Sequence, residues 1–305
     1  MRLSVHHLLA GAVAVGALLL LLCTAQGQTL FEAHWLTNGT NGGAIVKFMP
    51  NGGSSTFASG LNQPWGLTFN SAGNLFESDT SGNIYEFTPN GTRSTFASGL
   101  TGPYGLAFDS AGNLFAAANF SILKFTPNGG SSTFASGVPG QPAFNPNGLT
   151  FDSAGNLFVA DWAFGKIYKF TPGGAASTFA SGLQGPGGLA FSTAGNLFVA
   201  DEFSGNIYDF TPNGTRSTFA SGVTGEPFGL AFNSAGDLFV ADLDSHIYEF
   251  TPNGTRSTFA SGLGRPCALA FQPVPEPCTG TLVGLGVVAL ITLRARNQRD
   301  KRFYT

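Results

Sequence analysis

The strongest constraint on how this chain folds is an internal repeat with a period of about 40 residues. The pentapeptide Phe-Thr-Pro-Asn-Gly, or a close variant of it, recurs with its Phe at Phe48, Phe87, Phe125, Phe170, Phe210 and Phe250. Self-similarity at this period indicates an array of similar units, each of which needs its neighbours to bury its apolar faces. The repeat therefore predicts a single domain built from repeated units.

Each period contains four short segments with β character, separated by turn residues. In the fifth period they cover residues 229–232, 237–242, 246–250 and 257–260, and the turns between them carry Ser-Ala-Gly, Asp-Ser and Thr-Pro-Asn-Gly. Four short strands in about 40 residues is the pattern of one blade of a β-propeller. The class predicted is therefore all-β.

Counting the units predicts how the ring closes. Complete units begin at Gly66, Gly105, Gly148, Gly188 and Gly229, and the last is followed by one unpaired segment at 268–271. Three further strand-like segments, 30–33, 45–48 and 55–58, precede the first unit. One C-terminal and three N-terminal strands together complete a sixth blade. We therefore predict a six-bladed β-propeller of four strands per blade over residues 28–272, with no open edge left to aggregate.

The chain contains 30 Phe but only 10% charged residues, and the propeller accounts for most of the Phe. One Phe per strand in 24 strands predicts 24, and all of them are found at the template positions. We expect these 24 to form the core between blades, because both faces of a blade pack against neighbours. The other six are Phe120, Phe144, Phe164, Phe203, Phe228 and Phe303.

The first 27 residues have the pattern of a secretory signal peptide. Arg2 is followed by an apolar stretch over residues 8–22 and by a small-x-small site at Ala25 to Gly27. A lipoprotein signal ending at Cys23 and an uncleaved membrane anchor are the alternatives, although Leu22 stands where a lipoprotein signal needs a small residue. Each of these interpretations exports the rest of the chain.

Residues 273–305 have three parts in a fixed order. Val274, Pro275, Glu276 and Pro277 precede an apolar run over residues 279–293, which is shorter than the roughly 20 residues that span a bilayer comfortably. A basic tail follows, with Arg294, Arg296, Arg299, Lys301 and Arg302. Such a tail keeps its end in the cytoplasm.

This ending resembles the PEP-CTERM sorting signal of Gram-negative bacteria that make exopolysaccharide. The resemblance implies recognition by an exosortase and delivery to the cell envelope surface or the extracellular matrix, with the membrane contacted through the C-terminal segment before processing. An ordinary single-pass anchor is the alternative. Both interpretations place residues 28–272 outside the cytoplasm.

Removing the two ends changes the charge of the chain. Residues 28–272 hold 8 Lys and Arg against 15 Asp and Glu, a formal charge of −7. Nucleic-acid binding is therefore not expected. Cys267 is the one cysteine in this region, so no disulfide framework is predicted.

The repeats also carry a family resemblance. Residues 103–115 (PYGLAFDSAGNLF) and 195–201 (GNLFVAD) resemble NHL repeats and the wider group of six-bladed propellers that includes the SMP-30-type gluconolactonases. The resemblance covers nearly all of residues 28–272. It implies the fold, whereas activity has to be argued from the site.

The repeats differ from one another on one face only. We call this the variable face, which holds the loops between the second and third strands and the links between blades; the opposite, regular face has nearly identical turns. Nine aromatics outside the strand template fall on the variable face: Trp35, Trp65, Tyr104, Phe120, Phe144, Trp162, Phe164, Phe203 and Phe228. We predict that they bind a glycan or a protein, because loops on a rigid scaffold usually carry function. The alternative is that they plug the channel or cover loop backbone.

A second ring lies at the ends of the second strands, at His34, Asp79, Ala118, Asp161, Asp201 and Asp242. Such Asp residues usually accept hydrogen bonds from the following loop, although four equivalent carboxylates can also bind Ca²⁺. Where the split blade meets the next one, Glu32 and His34 are expected to approach Glu77 and Asp79 as a weaker candidate metal site.

An enzyme site finds little support in the residues. The lactonase resemblance implies a divalent metal in the central channel, held by Glu, Asn and Asp. Asn147 matches the Asn, but Gly187 and Phe228 stand where the Asp is expected and the Glu has no counterpart. No Ser-His-Asp, Cys-His or phosphate-loop arrangement is present, so no catalytic residue and no cofactor are assigned.

The sequence therefore favours a non-enzymatic, exported propeller that binds a glycan or protein through the variable face. A metal-dependent lactonase-like or lyase-like enzyme is the first alternative, and a purely structural matrix protein is the second.

Overall fold

A computed structural model describes residues 27–35, 42–138 and 144–274 of the chain. Residues 28–272 form one compact unit. The predicted signal peptide, nearly all of the predicted sorting signal and Phe303 lie outside the described residues, and their boundaries stay predictions. In the described part of the chain, no helix is long and apolar enough to cross a membrane.

The described residues form 24 strands and one short 3-10 helix, Glu202–Ser204. The first twelve strands are β1 (Leu30–His34), β2 (Gly43–Phe48), β3 (Ser54–Leu61), β4 (Pro64–Phe69), β5 (Leu75–Asp79), β6 (Ile84–Phe87), β7 (Arg93–Ala97), β8 (Leu106–Phe108), β9 (Leu114–Ala118), β10 (Ser121–Phe125), β11 (Ser131–Ala135) and β12 (Pro146–Phe151). The others are β13 (Leu157–Asp161), β14 (Lys166–Phe170), β15 (Ala176–Ser181), β16 (Pro186–Phe191), β17 (Leu197–Asp201), β18 (Asn206–Phe210), β19 (Arg216–Ala220), β20 (Pro227–Phe232), β21 (Leu238–Asp242), β22 (His246–Phe250), β23 (Arg256–Ser261) and β24 (Pro266–Phe271).

The strands pair into six antiparallel sheets of four, which confirms the predicted six-bladed propeller. Blades 1 to 5 are β4–β7, β8–β11, β12–β15, β16–β19 and β20–β23, and blade 6 has the order β24-β1-β2-β3. In blade 6 the C-terminal strand pairs with the N-terminal one, with Leu30 opposite Phe271 and Ala33 opposite Ala268. This pairing closes the ring as the strand count predicted.

The turns of the regular face form because their side chains satisfy their own backbone. In blade 2 the carboxylate of Asp109 accepts hydrogen bonds from the N–H groups of Ala111 (3.0 Å) and Asn113 (2.8 Å). Gly112 takes a φ of 79°, a conformation that costs a glycine little. Asp152 in blade 3 makes the same two bonds, so one local sequence produces the same turn in successive blades.

The 24 template Phe assemble into six clusters of four, one at each junction between blades. Each cluster joins the second-strand and fourth-strand Phe of one blade to the first-strand and third-strand Phe of the next. At the junction of blades 3 and 4, the ring centroid of Phe158 lies 5.0 Å from that of Phe179 and 5.1 Å from that of Phe191, both edge-on, and Phe179 lies 5.9 Å from Phe210. Edge-to-face pairs at these separations are favourable.

The expectation that all 24 template Phe belong to the core is confirmed for the Phe of the second strands. It does not hold for every Phe of the fourth strands. Phe31, Phe76, Phe115, Phe158, Phe198 and Phe239 are all buried. Fourth-strand Phe lie on the outer edge of the ring, where no further strand covers them, and Phe259 is 38% exposed. These outer rings close each junction on the solvent side.

The innermost strands approach one another so closely at the axis that a side chain does not fit. A Cβ on Gly148 would lie 2.1 Å from the carbonyl oxygen of Gly187, and one on Gly188 would lie 2.1 Å from that of Phe228. Gly105 donates its N–H to the carbonyl of Asn147 at 3.0 Å, so the approach includes a hydrogen bond between blades. The glycine of each Pro-x-Gly-Leu segment is therefore a packing requirement.

We expect Gly148→Ala to lower the free energy of unfolding by about 1–3 kcal/mol, because the new methyl group meets rigid backbone. Gly173→Ala is the matched control, since a Cβ there would meet nothing closer than 4.0 Å. Thermal unfolding followed by circular dichroism measures both. Equal melting temperatures for the two variants would contradict the packing explanation.

Candidate ligand-binding site

The candidate site lies at the axis on the variable face, where each innermost strand begins. The residue after the Pro of each Pro-x-Gly-Leu segment, or of its Pro-Cys-Ala-Leu variant, lies in this region, and it differs in every blade: Trp65, Tyr104, Asn147, Gly187, Phe228 and Cys267. The centroid of the Trp65 ring lies 5.3 Å from those of Tyr104 and Phe228, both edge-on. Trp65 and its two aromatic neighbours therefore crowd the mouth of the channel.

Above this ring is a pocket of about 290 Å³. It is lined by Trp35, Trp65, Tyr104, Asn145, Asn147, Trp162, Glu202, Phe228, Leu243 and Arg265. All ten residues occupy one of three positions in the repeat: the residue after the second strand, the residue before the Pro, and the residue after the Pro. Five of them are aromatic, and the polar ones supply two amides, a carboxylate and a guanidinium.

One wall of the pocket is a pair of tryptophans held in place by hydrogen bonds. The ring centroids of Trp35 and Trp65 are 4.6 Å apart. The indole N–H of Trp35 donates to the carbonyl of Pro64 (2.9 Å), and that of Trp65 donates to the side-chain oxygen of Asn147 (3.3 Å). Because both N–H groups already have partners, the rings offer a ligand mainly their apolar surfaces.

Arg265 closes the pocket beside the tryptophans. Its guanidinium lies over the Trp35 ring, 5.1 Å from the centroid, and one of its nitrogens lies 3.6 Å from the carboxylate of Glu226. Both partners of this ion pair are well exposed, so it adds little stability. Its effect is to orient a cation at the edge of the aromatic wall.

The opposite wall is built from Trp162 and Glu202, which belong to adjacent blades. The indole N–H of Trp162 donates to the carboxylate of Glu202 at 2.5 Å. Burial raises the pKa of Glu202, while the bond from Trp162 acts to lower it. Beyond the pocket the Trp162 ring meets Phe203 edge-on, with centroids 5.5 Å apart.

The nine predicted aromatics separate into three groups. Five of them line the pocket: Trp35, Trp65, Tyr104, Trp162 and Phe228. Phe120, Phe164 and Phe203 are exposed on the variable face outside it, by 68%, 43% and 59%. Whether any of them binds a ligand stays a prediction.

Phe144 was placed on the binding face, and this placement is wrong. Its side chain is buried, in a core cluster with Val138 and Leu149, and it packs edge-on against Tyr168 with ring centroids 6.0 Å apart. The residue lies two positions before Pro146, where the chain turns inward to start β12. Phe228 is also largely buried, and its ring both lines the pocket and packs against Gly187.

Three of the four Asp residues at the ends of the second strands have the loop-capping role that the sequence favoured. Asp79 accepts a hydrogen bond from Ser81, Asp201 accepts bonds from the N–H of Gln184 (2.7 Å) and the hydroxyl of Ser204 (2.8 Å), and Asp242 accepts one from the N–H of Asp244 (2.9 Å). These bonds hold the loops that follow Asp79, Asp201 and Asp242, including those that carry Glu202 and Leu243, in related geometry.

The structure does not bring Glu32, His34, Glu77 and Asp79 into one metal site. Side chains alternate along a strand, and Phe31 contacts Phe69 of blade 1, so Glu32 and His34 face blade 5 instead. Phe76 contacts Phe108 of blade 2, so Glu77 and Asp79 face blade 6. The sheet of blade 6 therefore separates the two pairs. Among the described residues, no group of three or more His, Cys, Asp or Glu is placed to hold a metal.

Glu32 and Glu77 are nevertheless unusual residues. They occupy the position that Val159, Val199 and Val240 hold in blades 3 to 5, and both are fully buried. Glu32 shares a hydrogen bond of 2.9 Å with Nδ1 of His34, whereas neither carboxyl oxygen of Glu77 has a partner among the described residues. Burial, helped by the nearby Asp79, raises the pKa of Glu77 well above its usual range.

Four lining residues were not singled out from the sequence: Asn145, Glu202, Leu243 and Arg265. The sequence nevertheless contains a pattern that distinguishes these four residues. These residues stand at two positions of the repeat, directly before the Pro and directly after the second strand. Both positions vary from blade to blade, whereas the residues around them repeat. Aromatic type alone was too narrow a criterion.

The SMP-30/gluconolactonase/LRE-like region family matches residues 78–272, more than half of the chain, and the protein belongs to this family. A search of curated proteins finds no match.

Several solved structures share the fold. The nidogen/laminin complex has 19% identity and a TM-score of 0.70, with coverage of 82% of this chain and all of the other. Virginiamycin B lyase from Staphylococcus aureus has 17% identity and a TM-score of 0.57, covering 80% and 82% of the two chains. A gluconolactonase from Xanthomonas campestris has 21% identity and a TM-score of 0.61, covering 67% and 78%. These include enzymes and a protein complex, so the likeness establishes the propeller and leaves the activity open.

Glu77→Val should stabilise the protein, and more so as the pH rises. The folded-state pKa of Glu77 is raised above its ordinary value of 4.5, so the wild type is most stable below that pH and loses stability as the pH rises towards the folded-state pKa. Removing the carboxyl should add about 1–3 kcal/mol near pH 8 and less near pH 4. Urea unfolding at both pH values measures the difference.

The reciprocal change Val199→Glu is the control for this experiment. It places a carboxyl at the same buried repeat position of blade 4 and should destabilise the protein most at high pH. If Glu77→Val instead destabilises the protein at every pH, Glu77 has a stabilising partner, and burial alone does not describe its environment.

Proposed function

We propose that this protein is an exported propeller that binds a glycan, without chemical conversion, in the aromatic pocket of its variable face. The observation that carries the proposal is the lining of that pocket. Five aromatic rings from five different blades converge on one cavity, together with Asn145, Glu202 and Arg265. This composition combines apolar walls with a few placed polar groups, as ligand sites usually do.

A sugar suits this combination better than a purely apolar ligand. Pyranose rings present C–H groups on their faces and hydroxyls around their edges, so they pack against aromatic rings while hydrogen-bonding at the rim. Trp35 and Trp65 supply the aromatic surface, because their N–H groups are already engaged. The amide of Asn145 and the charged groups of Glu202 and Arg265 are suited to hold hydroxyl groups.

The position of the chain ends supports display of the pocket outward. Gln272 donates its N–H to the carbonyl of Thr29 at 2.9 Å, and the side chain of Gln28 accepts a bond from Ser234 in a turn of the regular face. Both ends therefore leave the propeller on the face opposite to the pocket. A tether at residues 273–305, as the PEP-CTERM resemblance and the alternative anchor both imply, begins at this opposite face.

A metal-dependent lactonase-like or lyase-like activity is the second candidate, and family membership favours it. Asn147, the one position that matches the lactonase ligands, lies in the pocket, but it is bonded to Trp65, and Phe228 fills the place expected for the Asp. Assays of lactone hydrolysis with Ca²⁺, Zn²⁺ or Mn²⁺ added test this candidate. Turnover that Asn147→Ala abolishes would replace the binding proposal. A purely structural matrix role predicts neither binding nor turnover.

We expect Trp65→Phe and Trp162→Phe to weaken glycan binding by about 1–2 kcal/mol, roughly five- to thirtyfold in Kd. Each change keeps an aromatic ring but removes part of the wall and one indole N–H. The triple variant Trp35→Ala, Trp65→Ala, Trp162→Ala should abolish binding. A glycan array followed by isothermal titration calorimetry measures the effect on the purified protein.

Phe120→Ala is the matched control, because this ring is exposed on the same face but does not line the pocket. Melting temperatures of all variants report whether each one folds. Glycan binding that is unchanged in a folded triple variant would refute the pocket as the site.

A further inference from the structure

The aromatic surface of the pocket continues beyond its rim in one direction. Trp162 lines the pocket on one side and contacts Phe203 on the other, with ring centroids 5.5 Å apart. Phe203 is not a pocket residue, and 59% of it is exposed. Glu202, which accepts the bond from Trp162, directly precedes Phe203 in the chain. An aromatic path therefore leads from the axis across blade 3 to the loop of blade 4.

Phe203 is held in this position by an ordered turn. It lies in the 3-10 helix Glu202–Ser204, and its backbone N–H donates to the carbonyl of Gln184 at 3.0 Å. The carboxylate of Asp201 anchors both sides of the turn, through Ser204 (2.8 Å) and through the N–H of Gln184 (2.7 Å). An exposed aromatic ring so fixed loses little entropy when a ligand covers it.

Gly185 makes room for this contact. A Cβ at this residue would lie 2.9 Å from Cδ2 of Phe203 and 3.3 Å from the indole nitrogen of Trp162. Its φ of 91° also favours glycine. The neighbouring blades have Asn145 and Glu226 at the same position before the Pro, so here the glycine coincides with the place where the aromatic path leaves the pocket.

We propose that the site binds an oligosaccharide of at least two sugar units, with one unit in the pocket and the next stacked on Phe203. This inference rests on the proposed glycan-binding function and extends it to the class of ligand: a polymer chain rather than a monosaccharide or a single lactone. Glu202 lies between the two subsites, where its carboxylate reaches hydroxyls of both units.

The test is a length series of oligosaccharides on one array. Cello-, chito- and manno-oligosaccharides and oligogalacturonates of one to six units are probed with wild type, Phe203→Ala and Phe120→Ala, and bound series are then titrated by calorimetry. For at least one series we expect the Kd to fall by about three- to tenfold from one unit to two or three. Phe203→Ala should remove this gain and leave the affinity for the single unit unchanged. Phe120→Ala should bind as the wild type does.

Different results would refute the second subsite and the glycan-binding pocket. If the single sugar binds as tightly as the hexamer, or if Phe203→Ala weakens every length equally, the second subsite is refuted while the pocket remains a glycan site. If no series binds, and a protein ligand captured from extracellular material is lost in the triple tryptophan variant, glycan binding itself is wrong and the inference falls with it. Melting temperatures of both Phe variants confirm that an exposed ring was removed without unfolding.

Discussion

The junction of four Phe rings between neighbouring blades is the contact on which the rest of the structure depends. A four-stranded sheet cannot bury both its faces alone, so each blade is stable only against its neighbours. At every junction the second-strand ring, such as Phe158, is buried against one ring of its own blade and one of the next, and a fourth ring packs on the outer one. Six equivalent junctions make a closed ring, and blade 6 ties both chain ends into it. The regularity of these contacts leaves the loops free to differ.

Close approach at the axis then determines where a ligand site can form. Because the glycine of each Pro-x-Gly-Leu segment touches the backbone of the next blade, the inner strands leave no room for a side chain at that level. The large rings of Trp65, Tyr104 and Phe228 stand where the strands begin and line the pocket there. The rigid ring below and the capped loops beside it hold these rings in place. Preorganisation of this kind favours binding, since little entropy is lost on association.

Not every irregularity in the repeat belongs to that pocket. Glu32 and Glu77 replace a buried Val in two adjacent blades, on opposite sides of the sheet of blade 6. Burying a carboxyl with unpaired oxygens lowers the free energy of unfolding. Packing at the Phe junctions of the ring offsets this cost. Neither carboxyl oxygen of Glu77 has a partner among the described residues, so its presence at a Val position has no structural explanation. The pocket and this buried pair are therefore separate departures from one template.

The sequence alone determined the class of fold, the number of blades, the strand that closes the ring and the face that varies. It could do so because these features follow from local patterns: the 40-residue period, turn residues with fixed backbone demands, and one Phe per strand. Only the tertiary structure decided which loop residues meet. Phe144 turns into the core while Glu202 and Arg265 enter the pocket, because the direction of a loop side chain depends on how neighbouring blades pack against it. Residues from all six blades converge on the pocket because the ring curves, and no local sequence pattern encodes that proximity.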